Sequence, residues 1–133
     1  HQSIVMNFAV DVNDNDHIGI RWCELRKTGD EDWSLYQEGT WAPDEDNRWL
    51  GSIHMDYFGN IALAYSVSGA NTFPSLRYTG RFASDALGQM TLQETTIFDG
   101  TSSQTNSSRI GDYSQMTIDP TDDATFWYTG EYI

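Results

Sequence analysis

A strict alternation of large and small side chains over residues 61–68 constrains the fold of this chain more than any other feature. In an extended strand, Ile61, Leu63, Tyr65 and Val67 share one face, and the intervening Ala and Ser residues share the other. A solvated strand face carries Lys, Glu or Arg, and neither face does so here. We therefore expect a sheet covered on both sides, by large side chains on one and by a closely packed neighbour on the other.

Three segments, residues 8–22, 53–66 and 116–130, share one predicted plan. In each, a short strand ends in Asp, a polar turn follows, and a longer apolar strand comes next. The Asp residues are Asp11, Asp56 and Asp119, which lie 45 and 63 residues apart. Repeats of about 40 to 50 residues are typical of propeller blades. We expect each Asp to have a structural role, in which its carboxylate accepts hydrogen bonds from turn N–H groups.

Further strand candidates are "WSLYQEG", "RWLGSI", "PSLRYTG" and "TLQETTIF", and no window of about twelve residues shows helical apolar spacing. We predict an all-β fold, a β-propeller-like stack of about three antiparallel blades, with approximate units 1–47, 48–100 and 101–133. Closed propellers have about four to eight blades, so three would leave an apolar blade face exposed. The remaining blades of a longer chain, or another copy of this one, would cover it.

Charge excludes some partners. The chain has 20 acidic and 7 basic residues, a net charge of −13, which repels nucleic acid and anionic membranes. The sequence contains no run of about 18 apolar residues, which is the length that would predict a membrane-spanning segment. A single Lys beside 14 Asp favours an extracellular setting. Because the sequence begins with His1 and shows no signal peptide, we expect a processed or excised segment of a longer protein.

The turn after the first strand candidate is a candidate calcium site. It offers the hard oxygen donors Asp11, Asn13, Asp14, Asn15 and Asp16. An EF-hand loop does not fit, because its sixth position would be Asp16 and its twelfth Trp22. The alternatives are a looser surface Ca²⁺ site and an Asx-rich turn.

Other candidates are single residues or small sets. Trp41, in the polar segment "GTWAPDEDN", is a candidate exposed platform for stacking on sugar rings. Ser52, His54 and Asp56 alternate on one strand, but residues two apart lie about 6 to 7 Å from each other, too far for a catalytic triad. Cys23, the only cysteine, is expected to be a buried small hydrophobe. Asn106 begins a glycosylation acceptor motif.

The Asp hairpins resemble a degenerate Asp-box repeat of sialidase-like β-propellers, Ser-x-Asp-x-Gly-x-Thr-Trp. The matching residues are Ser52, Asp56 and Gly59, and then Asp119, Thr125 and Trp127. Most of residues 1–133, including "RIGDYSQMTIDPTDDATFWYTGEY", also resembles a segment of large exported bacterial proteins with propeller domains. This second resemblance implies a secreted or cell-surface bacterial protein.

We expect a non-catalytic extracellular structural or binding module, with a glycan or a protein as its partner. One alternative is part of a sialidase-like glycoside hydrolase, in which three arginines would face a Tyr-Glu pair in one cavity. The arginines available are Arg21, Arg48, Arg77, Arg81 and Arg109, with Tyr78, Asp112 and Tyr113 near two of them in sequence. A second alternative is a subunit of an extracellular filament, formed if copies associate head to tail without closing a ring.

Overall fold

The computed structural model describes residues 1–105 and 109–133, which form nine strands and no helix. The all-β class is therefore confirmed, and Asn106 lies outside the described residues. The strands are β1 (Gln2–Asp11), β2 (Ile18–Lys27), β3 (Ser34–Trp41), β4 (Asn47–Met55), β5 (Ile61–Ser68), β6 (Ser75–Arg81), β7 (Thr95–Phe98), β8 (Gln115–Ile118) and β9 (Phe126–Thr129).

The nine strands form three antiparallel meanders. The first sheet has the order β1-β2-β3, the second sheet β4-β5-β6-β7, and the third sheet β8-β9. None of them closes on itself within the described residues. The division into units 1–47, 48–100 and 101–133 stays a prediction.

Strand β5 is covered on both faces, as its alternating sequence predicts. Leu63, Tyr65 and Val67 on the face with large side chains are fully buried, and Ala64 and Ser66 on the opposite face are also buried. The large side chains pack against the first sheet, where they meet Ile20 and Trp22 of β2 in the main core. The third sheet lies over the small side chains.

The first strands of the three sheets lie side by side, but they do not all run in the same direction. Along β1 and β4 the contacts run antiparallel, since Asn7 lies against Gly51 while Val5 lies near Ile53. Along β4 and β8 they run parallel. The Ser114 hydroxyl donates to the Leu50 carbonyl, and the Met116 amide donates to Ser52 Oγ.

The strand count of each sheet explains these directions. A four-stranded meander returns the chain to its starting side, so successive first strands of a regular propeller run parallel. The first sheet has three strands, an odd number, and the chain therefore enters β4 in the opposite direction. The structure therefore differs from the prediction of about three successive propeller blades. The first strands of the first two sheets, β1 and β4, run antiparallel, whereas those of regular consecutive blades run parallel.

Among the described residues, no helix has the length and apolar character needed to cross a membrane.

Candidate functional site: a closed polar cluster and an open groove

A polar cluster centred on Glu94 lies at the edge of the core between the first two sheets. Glu94 Oε1 accepts hydrogen bonds from Arg48 Nε at 2.8 Å and Tyr65 Oη at 2.6 Å. Its Oε2 accepts from Arg48 Nη2 at 2.8 Å and Arg77 Nη1 at 3.1 Å. Because β4, β5 and β6 are adjacent, three residues distant in sequence reach one carboxylate. We call Trp41, Asp44, Arg48, Tyr65, Arg77 and Glu94 the Glu94 cluster.

The outer members of the cluster add further hydrogen bonds, although Arg77 Nε is buried without a partner among the described residues. Asp44 binds Arg48 through two parallel bonds of 2.8 and 3.0 Å, and the Trp41 indole donates to Tyr65 Oη at 2.6 Å. Paired bonds of this kind are the strong, geometrically specific form of an arginine–carboxylate contact. The cluster therefore fixes the end of β3 and the strands β4, β5 and β6 relative to one another.

The ionisation of the cluster follows from burial and pairing. Burial alone would raise the pKa of Glu94, but hydrogen bonds from Arg48 and Tyr65 offset it, so the pKa lies below its ordinary value of 4.5. Burial raises the pKa of Tyr65, and the bond to Glu94 raises it further. Burial opposes the charge of Arg48, yet its bonds to Glu94 and Asp44 raise its pKa. Glu94 is thus ionised and Tyr65 neutral at pH 7.

The cluster contains the chemical groups of the glycosidase alternative without an opening for substrate. A Tyr-Glu pair with two arginines is present, but the Arg48 side chain and Tyr65 have no exposed surface. Both oxygens of Glu94 already accept two hydrogen bonds each. A substrate would have to break these bonds and displace the buried Arg48 and Tyr65 side chains.

The other arginines lie elsewhere, so the cluster holds two of them and not three. Arg21 pairs with Glu38, Arg109 pairs with Asp112, and Arg81 donates to the Asp85 carbonyl at 2.7 Å. Of the tyrosines near them in sequence, Tyr78 is 38% exposed and Tyr113 is 80% exposed. The structure therefore does not bring the five candidate arginines together.

Each of the three Asp carboxylates accepts hydrogen bonds from its own turn. Asp11 accepts the amides of Asn13 and Asp16, and Asp119 accepts the Thr121 amide and the Trp127 indole. Asp11 and Asp119 both have lowered pKa values, caused mainly by the hydrogen bonds of the residue two positions later.

Asp56 is the buried member of this series, since it is only 8% exposed. Its Oδ1 accepts the amides of Phe58 and Asn60, both at 2.8 Å, and its Oδ2 accepts Asn60 Nδ2 at 2.7 Å. Gly59 has a φ of 85°, a conformation that favours glycine. The "DYFGN" turn is therefore determined by one carboxylate and one glycine.

Two of the five residues proposed to bind calcium, Asp11 and Asn13, use side-chain oxygens within the turn after β1. The Asp11 carboxylate accepts two amides, and Asn13 Oδ1 accepts the Asn15 amide. Asp14 and Asp16 adopt positive φ angles of 56° and 60°, which is turn geometry that Asp tolerates. No group of three or more His, Cys, Asp or Glu side chains within residues 1–105 and 109–133 is placed to hold a metal. Calcium binding stays a prediction.

Trp41 and the Ser-His-Asp set differ from the expectations. Trp41 is half-buried and packs against the core, so it is not the exposed platform proposed from its polar neighbours. The more exposed tryptophans are Trp127 at 59% and Trp33 at 41%. Ser52 Oγ accepts the Met116 amide and His54 Nδ1 donates to the Met55 carbonyl, so no triad forms.

An apolar groove of about 510 Å³ lies between the second and third sheets. It exists because the third sheet has two strands and the second has four, so the outer strands of the second sheet are left without cover. Its apolar lining consists of Ile61, Ala62, Ala64, Tyr78, Gly80, Phe82, Leu92, Ile97, Met116, Phe126 and Tyr128. Among the described residues, β9 at its rim pairs only with β8.

Several polar side chains at the groove already have protein partners, whereas Tyr128 Oη and Arg81 Nε are buried without one in the part of the chain that the structure describes. Asp56 holds its own turn, Asn60 Oδ1 accepts the Ala83 amide, and Thr79 Oγ1 donates to the Leu92 carbonyl. A sugar site needs several free hydrogen-bonding groups, whereas a strand needs an unpaired edge and apolar contacts. The apolar lining, and the edge of β9 that is unpaired among the described residues, make the groove suited to an extended polypeptide.

Comparison of the chain with family models, with curated proteins and with solved structures finds no match.

Proposed function

We propose that this chain is a non-catalytic structural and binding module of a secreted or cell-surface bacterial protein. Its binding site is the groove between the second and third sheets, and its ligand is a β-strand that pairs with the free edge of β9. The groove beside an unpaired strand carries the proposal, because β-strand addition takes main-chain hydrogen bonds from such an edge and specificity from such pockets. The Glu94 carboxylate, whose two oxygens already accept two hydrogen bonds each, supports a non-catalytic role.

The propeller-like architecture is part of this proposal. The second sheet is a four-stranded meander, and β4 and β8 run in the same direction, as first strands of consecutive propeller blades do. On this basis the incoming strand takes the place of the third strand of an incomplete blade. Further strands of a longer polypeptide, or of another polypeptide, would supply it.

The uncharged dye Nile red tests whether the groove is an open apolar site. We expect the folded protein to bind the dye, and the variant Ala62→Leu to reduce this binding, because Ala62 lines the groove and a larger side chain fills it. Dye fluorescence measured against protein concentration gives the affinity. The variant Ala9→Leu is the matched control, since Ala9 is an exposed residue of β1 outside the groove.

Unchanged dye binding by Ala62→Leu, with circular dichroism showing a native fold, would mean that the groove is not the binding site. Equal losses in Ala62→Leu and Ala9→Leu would give the same conclusion.

A further inference from the structure

The face of the first sheet that points away from the core is apolar and exposed. We call it the outer face. On β1 it presents Ile4, Met6 and Phe8, which are 41%, 40% and 53% exposed. The residues of β1 on the opposite side, such as Val5 and Asn7, are smaller or polar. β1 thus places its largest apolar side chains where the described residues leave them uncovered, and exposed apolar patches of this kind mark interaction sites.

The apolar character continues across all three strands of the sheet. Register places Cys23 opposite Met6 and Leu25 opposite Ile4. Leu35 of β3, which is 54% exposed, pairs with Leu25. Cys23 therefore lies on the central strand of the outer face, between Met6 of β1 and Glu38 of β3.

The charge on this face differs from that of the rest of the chain. The outer face carries Arg21 and Lys27 with one carboxylate, Glu38, whereas the whole chain has a net charge of −13. Two copies of the chain repel each other because both are strongly acidic. This repulsion is weakest when the faces that meet carry no net negative charge. Arg21 Nη2 lies 2.5 Å from Glu38 within one copy, and two copies packed here could exchange this pairing.

We propose that the outer face is a self-association surface, through which two copies of this chain pack face to face about a two-fold axis. This goes beyond the proposed function, which concerns a different surface. Two apolar sheet faces stack about 10 Å apart, as in a β-sandwich. A two-fold arrangement uses the same patch on both copies, so the interface closes and does not propagate into a filament.

The size of the outer face determines how strong the association can be. Three strands of up to ten residues cover on the order of 500 Å² per copy, from about 3.4 Å per residue and about 4.8 Å between strands. Stable interfaces bury about 800 Å² per partner. The dimer is therefore weak and depends on protein concentration.

Sedimentation velocity from micromolar to millimolar concentration tests the proposal. We expect a reversible monomer–dimer equilibrium, and Met6→Lys should raise its dissociation constant by at least about tenfold, because it places a charge inside the apolar interface. The matched control is Leu87→Lys, at a residue 53% exposed and outside the outer face. It should leave the equilibrium unchanged.

Cross-linking identifies the surface. Sheets about 10 Å apart place the two Cys23 residues beyond the roughly 7 Å between Cα atoms that a disulfide allows, but within reach of a short bismaleimide. At one protein concentration we expect cross-linked dimers from the wild-type chain, fewer from Met6→Lys and none from Cys23→Ser. A monomer at every concentration, or a sedimenting dimer without cross-links, would overturn the proposal. Neither result affects the dye test of the groove, so the two proposals can fail separately.

Discussion

Glu94→Ala is expected to lower the free energy of unfolding by about 3 kcal/mol. The substitution removes the shared acceptor of Arg48, Tyr65 and Arg77 and leaves the buried Arg48 charge with Asp44 as its remaining carboxylate. Removing one partner of a buried ion pair costs about 3 to 5 kcal/mol. The lower end applies because Asp44 stays in place. Urea unfolding followed by tryptophan fluorescence measures the change.

The matched control is Glu38→Ala, in which the lost ion pair with Arg21 is on the surface. Such a pair contributes about 0 to 1 kcal/mol, so this variant should unfold close to the wild type. Equal losses in Glu94→Ala and Glu38→Ala would contradict the structural role of the Glu94 cluster.

The stability difference between wild type and Glu94→Ala should also depend on pH. The pKa of Glu94 is lower in the folded chain than its ordinary value of 4.5, so the unfolded chain binds the proton more readily. The stabilisation is therefore complete above pH 4.5 and is lost as the pH falls through the lowered folded value. The difference between the two proteins should decrease over that acidic range.

Asp56→Ala is expected to lower the free energy of unfolding by about 2 to 3 kcal/mol. The carboxylate holds the amides of Phe58 and Asn60, and the site is only 8% exposed, so water replaces these bonds poorly. A buried donor without a partner costs about 1 to 3 kcal/mol. Thermal and urea unfolding of the purified variant measure the loss.

Asp11→Ala is the matched control, because Asp11 makes the same type of turn bond at an exposed site where water can replace the carboxylate. It should cost clearly less than Asp56→Ala. A larger loss of unfolding free energy in Asp11→Ala than in Asp56→Ala would show that burial does not set the contribution of these turn carboxylates.

Alternation and turn chemistry in the sequence were enough to predict where the strands lie and the ends of several of them, but not their lengths. The first strand of each hairpin was expected to be the shorter one, whereas β1 is as long as β2 and β4 is longer than β5. β1 ends at Asp11, and β4 ends one residue before Asp56, because an Asp that accepts turn amides stops a strand wherever it occurs. The double cover of β5 also followed from its own residues, since small side chains on one face allow a second layer to approach closely.

The direction of β4 relative to β1 was not predictable in this way. It depends on how the first two sheets are placed against each other. The five residues between β3 and β4 contain a Pro and three acidic residues and exclude a further strand, but they do not determine that placement. A local pattern identifies a strand, whereas the number of strands in a sheet is set by packing of the whole chain.

The Glu94 cluster was missed for a related reason. Arg48 and Glu94 are 46 residues apart, and no local spacing marks them as partners. The only sequence signals for this ion pair were one Glu in the candidate strand "TLQETTIF" and one Arg in "RWLGSI". A single charged residue in a strand is equally compatible with a position facing solvent. Trp41 was misplaced because its sequence neighbours are polar while its indole reaches Tyr65 in the core.

Tyr65→Phe tests most directly whether the Tyr65–Glu94 pair stabilises this molecule or catalyses a reaction. Unfolding free energy and hydrolysis of aryl sialosides should be measured on the same samples, with Tyr78→Phe as the matched control. We expect no hydrolysis by any of the three proteins and a loss of about 1 to 3 kcal/mol in Tyr65→Phe alone, because the Trp41 indole and Glu94 lose a shared partner. Sialoside hydrolysis by the wild type that disappears in a fully stable Tyr65→Phe would contradict the structural role and establish an enzyme.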